Sequence, residues 1–317
     1  MFYLSFINQN ISVIINDFRH AEYRWIVLAL FTGLISHIIR AMRWNLLIAP
    51  LGYETKLSIS FYAVMTGYMT NLAIPRAGEI TRCGVISKQN KIPFHPVLGT
   101  VIVERIFDLL CLLLILFFVI ICQWQLLSTF MSEIFLDNIH LKLNNFMLIF
   151  FIILIFIAAF IFTYRFIIKP ILIRFDIYLK MMNILKEFTA GIKSIRKIKS
   201  IKSFLFLSVL LWFFYTLSIY FCFFAITDTK SLSFHDALTV MAFGSIGVVL
   251  PVPGGVGTYH YIVKILLSKI FGIHSDAAFS FAAISHAAQI LSILFLGSIS
   301  FIMLFVQSNR KLKNEKT

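Results

Sequence analysis

Charge is scarce in this chain, and negative charge is scarcest: 14 Asp and Glu stand against 28 Lys and Arg in 317 residues. With 13% charged and 60% hydrophobic residues, the composition lies far from the roughly quarter-charged average of soluble domains and excludes a water-soluble globule. Cysteine is equally thin. Cys83, Cys111, Cys122 and Cys222 are scattered, with no CxxC pair and no histidine at metal-ligand spacing, which excludes a disulfide framework and a zinc ribbon and leaves membrane packing residues. No cofactor and no metal is expected. A nucleotide motif is also missing: no strand precedes the glycines and no GK(S/T) follows them, so any driving force is a proton gradient, a membrane potential or a lipid gradient. Residues 1–18 lack a basic start, and Asn8, Gln9, Asn10 and Asn16 interrupt their apolar run, which fits an interfacial segment better than a cleaved signal.

Long apolar runs are what the chain has in abundance. Windows near residues 25–39, 57–74, 96–122, 146–168, 204–226, 236–250, 259–271 and 277–306 predict an all-α, polytopic membrane bundle of about seven to eight hydrophobic segments. The windows 236–250 and 259–271 are short for full crossings and flank a break, so they form one broken helix or a re-entrant hairpin. The division is an interfacial segment over 1–24, a single transmembrane domain over 25–306 and a basic tail over 307–317. Residues 169–202 hold nine Lys or Arg against Asp176 and Glu187. That loop and the tail are expected to be cytoplasmic at an inner, plasma membrane, with residues 123–145 outside. The orientation of the amino terminus stays open.

Only seven prolines and 14 glycines occur, so their gathering at NLAIPRAGEITR (residues 71–82) and VLPVPGGVGTYH (residues 249–260) marks these as places for function. In the first, Pro75 suits the first turn of a new helix and Glu79 its positive end. Free N–H groups there suit an anionic headgroup, to which Arg76 and Arg82 add bidentate phosphate contacts. A second cluster is Glu104, Arg105 and Asp108: Glu104 and Asp108 share a helix face and require a cation, for which Arg76 or Arg82 is the expected partner. The third is Pro253, Gly254, Gly255 and Gly257, whose backbone can line a cavity, with His260 a helical turn on. Pro75 and Pro253 lie 178 residues apart, with Gly67 and Gly244 starting the preceding stretches, a candidate internal repeat. His37, Arg40 and Arg43, at helical spacing on the end of the first span, either snorkel to phosphates or join the polar cavity, with the plain interfacial reading preferred. His286 and Gln289 are read as interhelical hydrogen-bonding residues.

The ordered set RAMRW (40–44), NLAIPRAGEITR, VERIFD (103–108) and PVPGGVGTYH (251–260) resembles the lysylphosphatidylglycerol synthase transmembrane region, a flippase-like integral-membrane family, over residues 25–306. In longer relatives this unit precedes a soluble domain that transfers an aminoacyl group from tRNA to phosphatidylglycerol, and the membrane part moves the product lipid. Stand-alone relatives are linked to polyprenyl-phosphate sugars and glycan assembly. The resemblance puts Asn71, Pro75, Arg76, Gly78, Glu79 and Arg82 on the first motif, Glu104, Arg105 and Asp108 on the second, and Pro253, Gly254, Gly255 and Gly257 on the third. Where the family often has glutamate, this chain has His260, which admits a pH-sensitive role.

The expectation is a flippase or transporter moving an anionic, aminoacylated or polyprenyl-phosphate-linked lipid, without the transferase domain and without catalytic residues of its own. Its partner is a membrane phospholipid or lipid-linked precursor, with no nucleic acid. Two other classes stand beside it: a membrane-embedded enzyme or subunit in phospholipid aminoacylation or lipid-linked glycan assembly, and a scaffold recruiting a separate soluble transferase through the loop 169–202.

Overall fold

The computed structural model describes residues 10–124, 200–250, 252–314 and a few positions between 183 and 198. The segment expected near 146–168 and most of the basic loop 169–202 lie outside the described residues. Every regular element is helical, as the composition predicts: α1 (Ile11–His20), α2 (Tyr23–Ile48), α3 (Leu57–Ala73), α4 (Ala77–Asn90), α5 (Phe94–Cys122), α6 (Ile201–Phe223), α7 (Phe234–Val249), α8 (Thr258–Ile265) and α9 (Ser275–Asn314). Among these, α2, α5, α6 and α9 are long and apolar enough to cross a bilayer. The flanks of α5 and α9 carry rows of exposed apolar side chains, among them Leu110, Leu114, Phe117, Leu291, Phe295 and Phe305. In a bilayer such rows face lipid, and their exposure costs nothing.

The helices have two common ends. At the first, the Glu22 N–H donates to the Ala225 carbonyl at 2.9 Å, Lys230 pairs with Glu22 at 2.5 Å, the Gln123 amide reaches Asp236 at 3.1 Å and the Asn10 N–H reaches Asp276 at 3.1 Å. Hydrogen bonds from Lys230 and then Arg24 hold the partly exposed Glu22 carboxyl below its usual range. This end gathers α1, the start of α2, the close of α5 and α6, and the starts of α7 and α9. At the other end the Gln89 amide donates to the Leu304 carbonyl and the Asn90 amide to that of Glu54, both at 3.3 Å. Here α2 closes, α3 and α5 begin, α4 closes and α9 finishes.

The short helices do not cross. At about 1.5 Å per residue, the 17 residues of α3 and 14 of α4 fall short of a roughly 30 Å core, and the two form a hairpin. Ile74 is extended ahead of Pro75 and Arg76 turns through φ 66°, so the window read over 57–74 ends in a reversal rather than at the far face. The hairpin is pinched by glycine: a Cβ on Gly78 would lie 2.1 Å from the Gly67 carbonyl oxygen. Helices α7 and α8 form a second hairpin. Its turn runs through Pro253–Gly255, with Gly254 at φ 58° and Gly257 at φ 89°. Thr258 Oγ1 donates to the Gly247 carbonyl at 2.6 Å, and a Cβ on Gly247 would lie 2.9 Å from Tyr259 Cα.

The first hairpin rises from the α4/α5 end and the second from the α1 end, so they point at each other. Their tips touch, since a Cβ on Gly254 would come within 2.9 Å of Leu72 Cδ2. Helix α9 runs past both: Gly297 abuts Met69 of the first, and His286 Nε2 lies 3.0 Å from the Gly254 carbonyl of the second. Gly67 and Gly244 are both close-approach positions, the first against the Gly78 carbonyl and the second against the Tyr259 ring.

Candidate functional site

Three helices each offer one polar face, and the faces converge. On α2, Arg40, Arg43 and Trp44 recur at the three- and four-residue spacing of one face; on α5, Thr100, Glu104 and Asp108 do the same; on α6, Phe204, Ser208 and Tyr215 form a third stripe. Arg40 Nη1 bonds both Glu104 Oε1 and, at 2.8 Å, Asp108 Oδ2. Arg43 Nη2 lies 2.5 Å from Asp108 Oδ1 and 3.5 Å from Glu104 Oε1, and its Nη1 donates to Ser208 Oγ at 3.3 Å. Tyr215 Oη accepts from Arg40 Nε and Nη2 at 3.3 and 3.2 Å. The Trp44 indole N–H donates to Thr100 at 3.0 Å and locks α2 on α5.

A fourth element completes the cluster. Arg82, on the returning arm of the first hairpin, places Nη1 3.1 Å from Glu104 Oε2 and stacks its guanidinium 4.8 Å over the Trp44 ring. Further out, Arg105 Nη2 lies 3.0 Å from Glu79 Oε1. Arg40, Arg43, Arg82 and Glu104 are all buried, whereas the side chains of Arg105 and Glu79 keep 39% and 25% of their surface exposed. Buried ions on this scale persist only when paired, because each alone costs several kcal/mol to desolvate.

The structure therefore brings together Glu79, Arg82, Glu104, Arg105 and Asp108, as the motifs imply. It corrects the partner assignment: Arg82 meets Glu104, but Arg76 is exposed at the hairpin tip and makes no ion pair among the described residues. The carboxylates are held chiefly by Arg40 and Arg43, which do not snorkel to an interface. They sit inside a helix that continues to Ile48 because its charges are neutralised from α5. Their spacing with Trp44 was the signal available; Tyr215 and Ser208 gave none.

The other motif residues serve the hairpins. Asn71 Oδ1 accepts the Gly78 N–H at 2.7 Å, satisfying one of the helix donors expected to await a headgroup. Pro75 lies ahead of the left-handed Arg76 cap rather than in the first turn of α4, which opens at Ala77. Pro253, Gly254, Gly255 and Gly257 shape the second tip, where His260 Nδ1 accepts from the Gly257 N–H at 3.3 Å. The His260 ring packs against His286, 4.9 Å between centroids, and Phe279. His286 bonds the second tip across helices, as read from its position. Among the described residues no group of three or more His, Cys, Asp or Glu is placed to hold a metal ion. The site offers fixed positive charge, paired carboxylates and an aromatic platform.

Residues 1–297 match the family described as the lysylphosphatidylglycerol synthase TM region. The chain is 24% identical over 253 residues to the UPF0104 membrane protein MJ1078 of Methanocaldococcus jannaschii, covering 78% of this chain and 99% of that protein. A second protein of that organism, the UPF0104 membrane protein MJ1595, is 33% identical over 113 residues, 35% of this chain and 32% of its own length. The glycosyltransferase AglD of Haloferax volcanii is 29% identical over 100 residues, 31% of this chain and 16% of that protein. No solved structure matches.

Proposed function

Because this chain belongs to the lysylphosphatidylglycerol synthase transmembrane-region family, we propose that it moves a phosphate-bearing lipid between the leaflets of its membrane, with the arginine–carboxylate cluster receiving the headgroup. The observation that carries this reading is the cluster itself: three buried arginines and two carboxylates between helices that otherwise face lipid. Ionised groups placed there at such cost mark a polar path in membrane proteins. Opposed hairpins that meet tip to tip suit a site approached alternately from the two faces. In this reading Arg82 holds phosphate, Glu104 and Asp108 balance the arginines or hold a headgroup amine, and Arg76 meets headgroups at the tip. The glycine tip around Gly254 and Gly257, with His260 beneath it, supplies the second gate.

The α4/α5 end carries Lys56, Lys88, Lys91 and Lys202 and leads into Arg310, Lys311 and Lys313. Read by the positive-inside rule, that end is cytoplasmic and α1 lies on the outer side of a plasma membrane. The similarity to part of a glycosyltransferase favours a second reading, in which this unit serves lipid-linked glycan assembly as a carrier or subunit.

Reconstitution in vesicles with a fluorescent phospholipid, bleached from outside by an impermeant reductant, tests the proposal. The native protein should expose inner-leaflet lipid to bleaching, and Arg82→Gln should slow this by about tenfold or more. Bleaching at the rate of protein-free vesicles would refute transport of that lipid class. A changed headgroup in the same vesicles would point to an enzyme instead.

A further inference from the structure

We propose that the buried cluster selects lipids bearing a single negative charge at phosphate, a phosphodiester, against lipid pyrophosphates, and that Glu79 sets this selectivity. The inference rests on the transport reading above and names its substrate class. Counting His37 as neutral, among the described residues the buried part holds Arg40, Arg43 and Arg82 against Glu104 and Asp108, one positive charge in excess. The outer pair Arg105–Glu79 is neutral in itself.

The excess is localised. Arg40 and Arg43 together donate to both oxygens of Asp108 and to Oε1 of Glu104. Arg82 is the arginine whose donors are spare: although Nη1 pairs with Glu104 Oε2 at 3.1 Å, none of Nε, Nη1 or Nη2 makes a hydrogen bond to a described group. Glu104 Oε2 likewise accepts no hydrogen bond from a described group. A guanidinium with its whole donor fork unused matches two oxygens of one phosphate, and Trp44 beneath it holds the plane.

Charge then decides between phosphates. A phosphodiester carries one negative charge and brings the buried set to neutrality. A pyrophosphate carries at least two and leaves an uncompensated anion beside Glu104 and Asp108, where water cannot screen it. Entry lies through the outer pair. Glu79 is three residues before Arg82 on α4, and Arg105 adjoins Glu104 on α5. Among the described residues Glu79 Oε2 and Arg105 Nε are also without hydrogen-bond partners, so this half-exposed pair is the weakest closure of the site. Parting it uncovers Arg82, and because Glu79 offsets Arg105 the entrance adds no net positive charge to balance a second ligand charge.

The test is native mass spectrometry of the full chain, purified in detergent and offered equal amounts of two matched pairs: phosphatidylglycerol with cytidine-diphosphate diacylglycerol, and a polyprenyl-phosphate sugar with the polyprenyl pyrophosphate of equal length. Diacylglycerol and a long-chain fatty acid complete the set. In at least one pair the phosphodiester should be retained over the pyrophosphate by about tenfold. Glu79→Gln, at a half-exposed position the fold tolerates, should move that ratio towards the pyrophosphate by about as much. Arg82→Gln should reduce the phosphodiester to the level of diacylglycerol. If that protein does not fold, Arg82→Lys, which keeps the charge and loses the fork, should weaken binding without moving the ratio. A native preference for pyrophosphate, or a ratio untouched by Glu79→Gln, overturns the charge rule and leaves the lipid-phosphate reading standing. Equal retention of the fatty acid overturns the phosphate assignment, and no phosphate lipid held above diacylglycerol removes both.

Discussion

Arg43 and Glu104 belong to one buried ion network with Arg40, Arg82 and Asp108, so neither has an independent role in stability. Both are fully buried, and removing one partner of such a set leaves an uncompensated ion. Arg43→Ala or Glu104→Gln is therefore expected to cost about 3–5 kcal/mol, read as a large fall in the thermal unfolding midpoint of the purified protein. Arg76 behaves oppositely. It is exposed and left-handed at φ 66°, a conformation that costs a side-chain-bearing residue about 1–2 kcal/mol, so Arg76→Gly should raise that midpoint. If Arg76 also meets headgroups, the same variant will transport more slowly while unfolding later, and the two measurements separate the roles. This contrast also shows what the sequence could tell. Glu104 and Asp108 announced a need for cations by their spacing, and Arg82 was among the named partners. Arg40 and Arg43 were read as the end of a span, because a charge inside a helix and one at its mouth look alike until the carboxylates some sixty positions later in the chain come into contact.

Glycine decides the elements. The two breaks were legible because proline and glycine fall together there inside apolar sequence, and the short windows over 236–250 and 259–271 implied one broken helix or a re-entrant hairpin. The first hairpin was harder to see. Its descending arm α3 has the hydropathy of a span, and its return arm α4 is polar enough to pass for a loop; its buried face is supplied by Arg82, Cys83 and Ile86 packing on neighbours distant in sequence. The pinch gives an internal control. Gly78→Ala would drive a methyl to 2.1 Å from the Gly67 carbonyl oxygen and must part α3 from α4, so loss of folded protein on detergent gel filtration is expected. Gly84, two turns further along α4, meets nothing within 4 Å of a built Cβ. Gly84→Ala should therefore stabilise the helix by up to about 1 kcal/mol. A tolerant Gly78 would mean that the hairpin is looser than the close contact implies.

At the scale of the whole molecule, everything turns on the hairpins entering from opposite ends. The first is anchored with Glu54, Asn90 and Leu304, the second with Asp236 and the Glu22–Lys230 tie. If the bundle spans a membrane, Glu54 and Lys88 must lie on one side and Asp228 and His274 on the other. One cysteine introduced at each of these positions in turn, in a chain whose Cys111 and exposed Cys122 are replaced by serine and whose Cys83 and Cys222 are buried, tests this with a membrane-impermeant maleimide on intact cells and on opened ones. Asp228→Cys and His274→Cys should react in intact cells, and Glu54→Cys and Lys88→Cys only after opening, because lysine and arginine crowd the α4/α5 end. The reverse pattern would invert the assignment of faces and keep the architecture. Labelling of all four from one side would break it, since two hairpins entering from a common face cannot meet tip to tip at Leu72 and Gly254, and the arginine cluster beside the first would then serve a site reached from one leaflet alone.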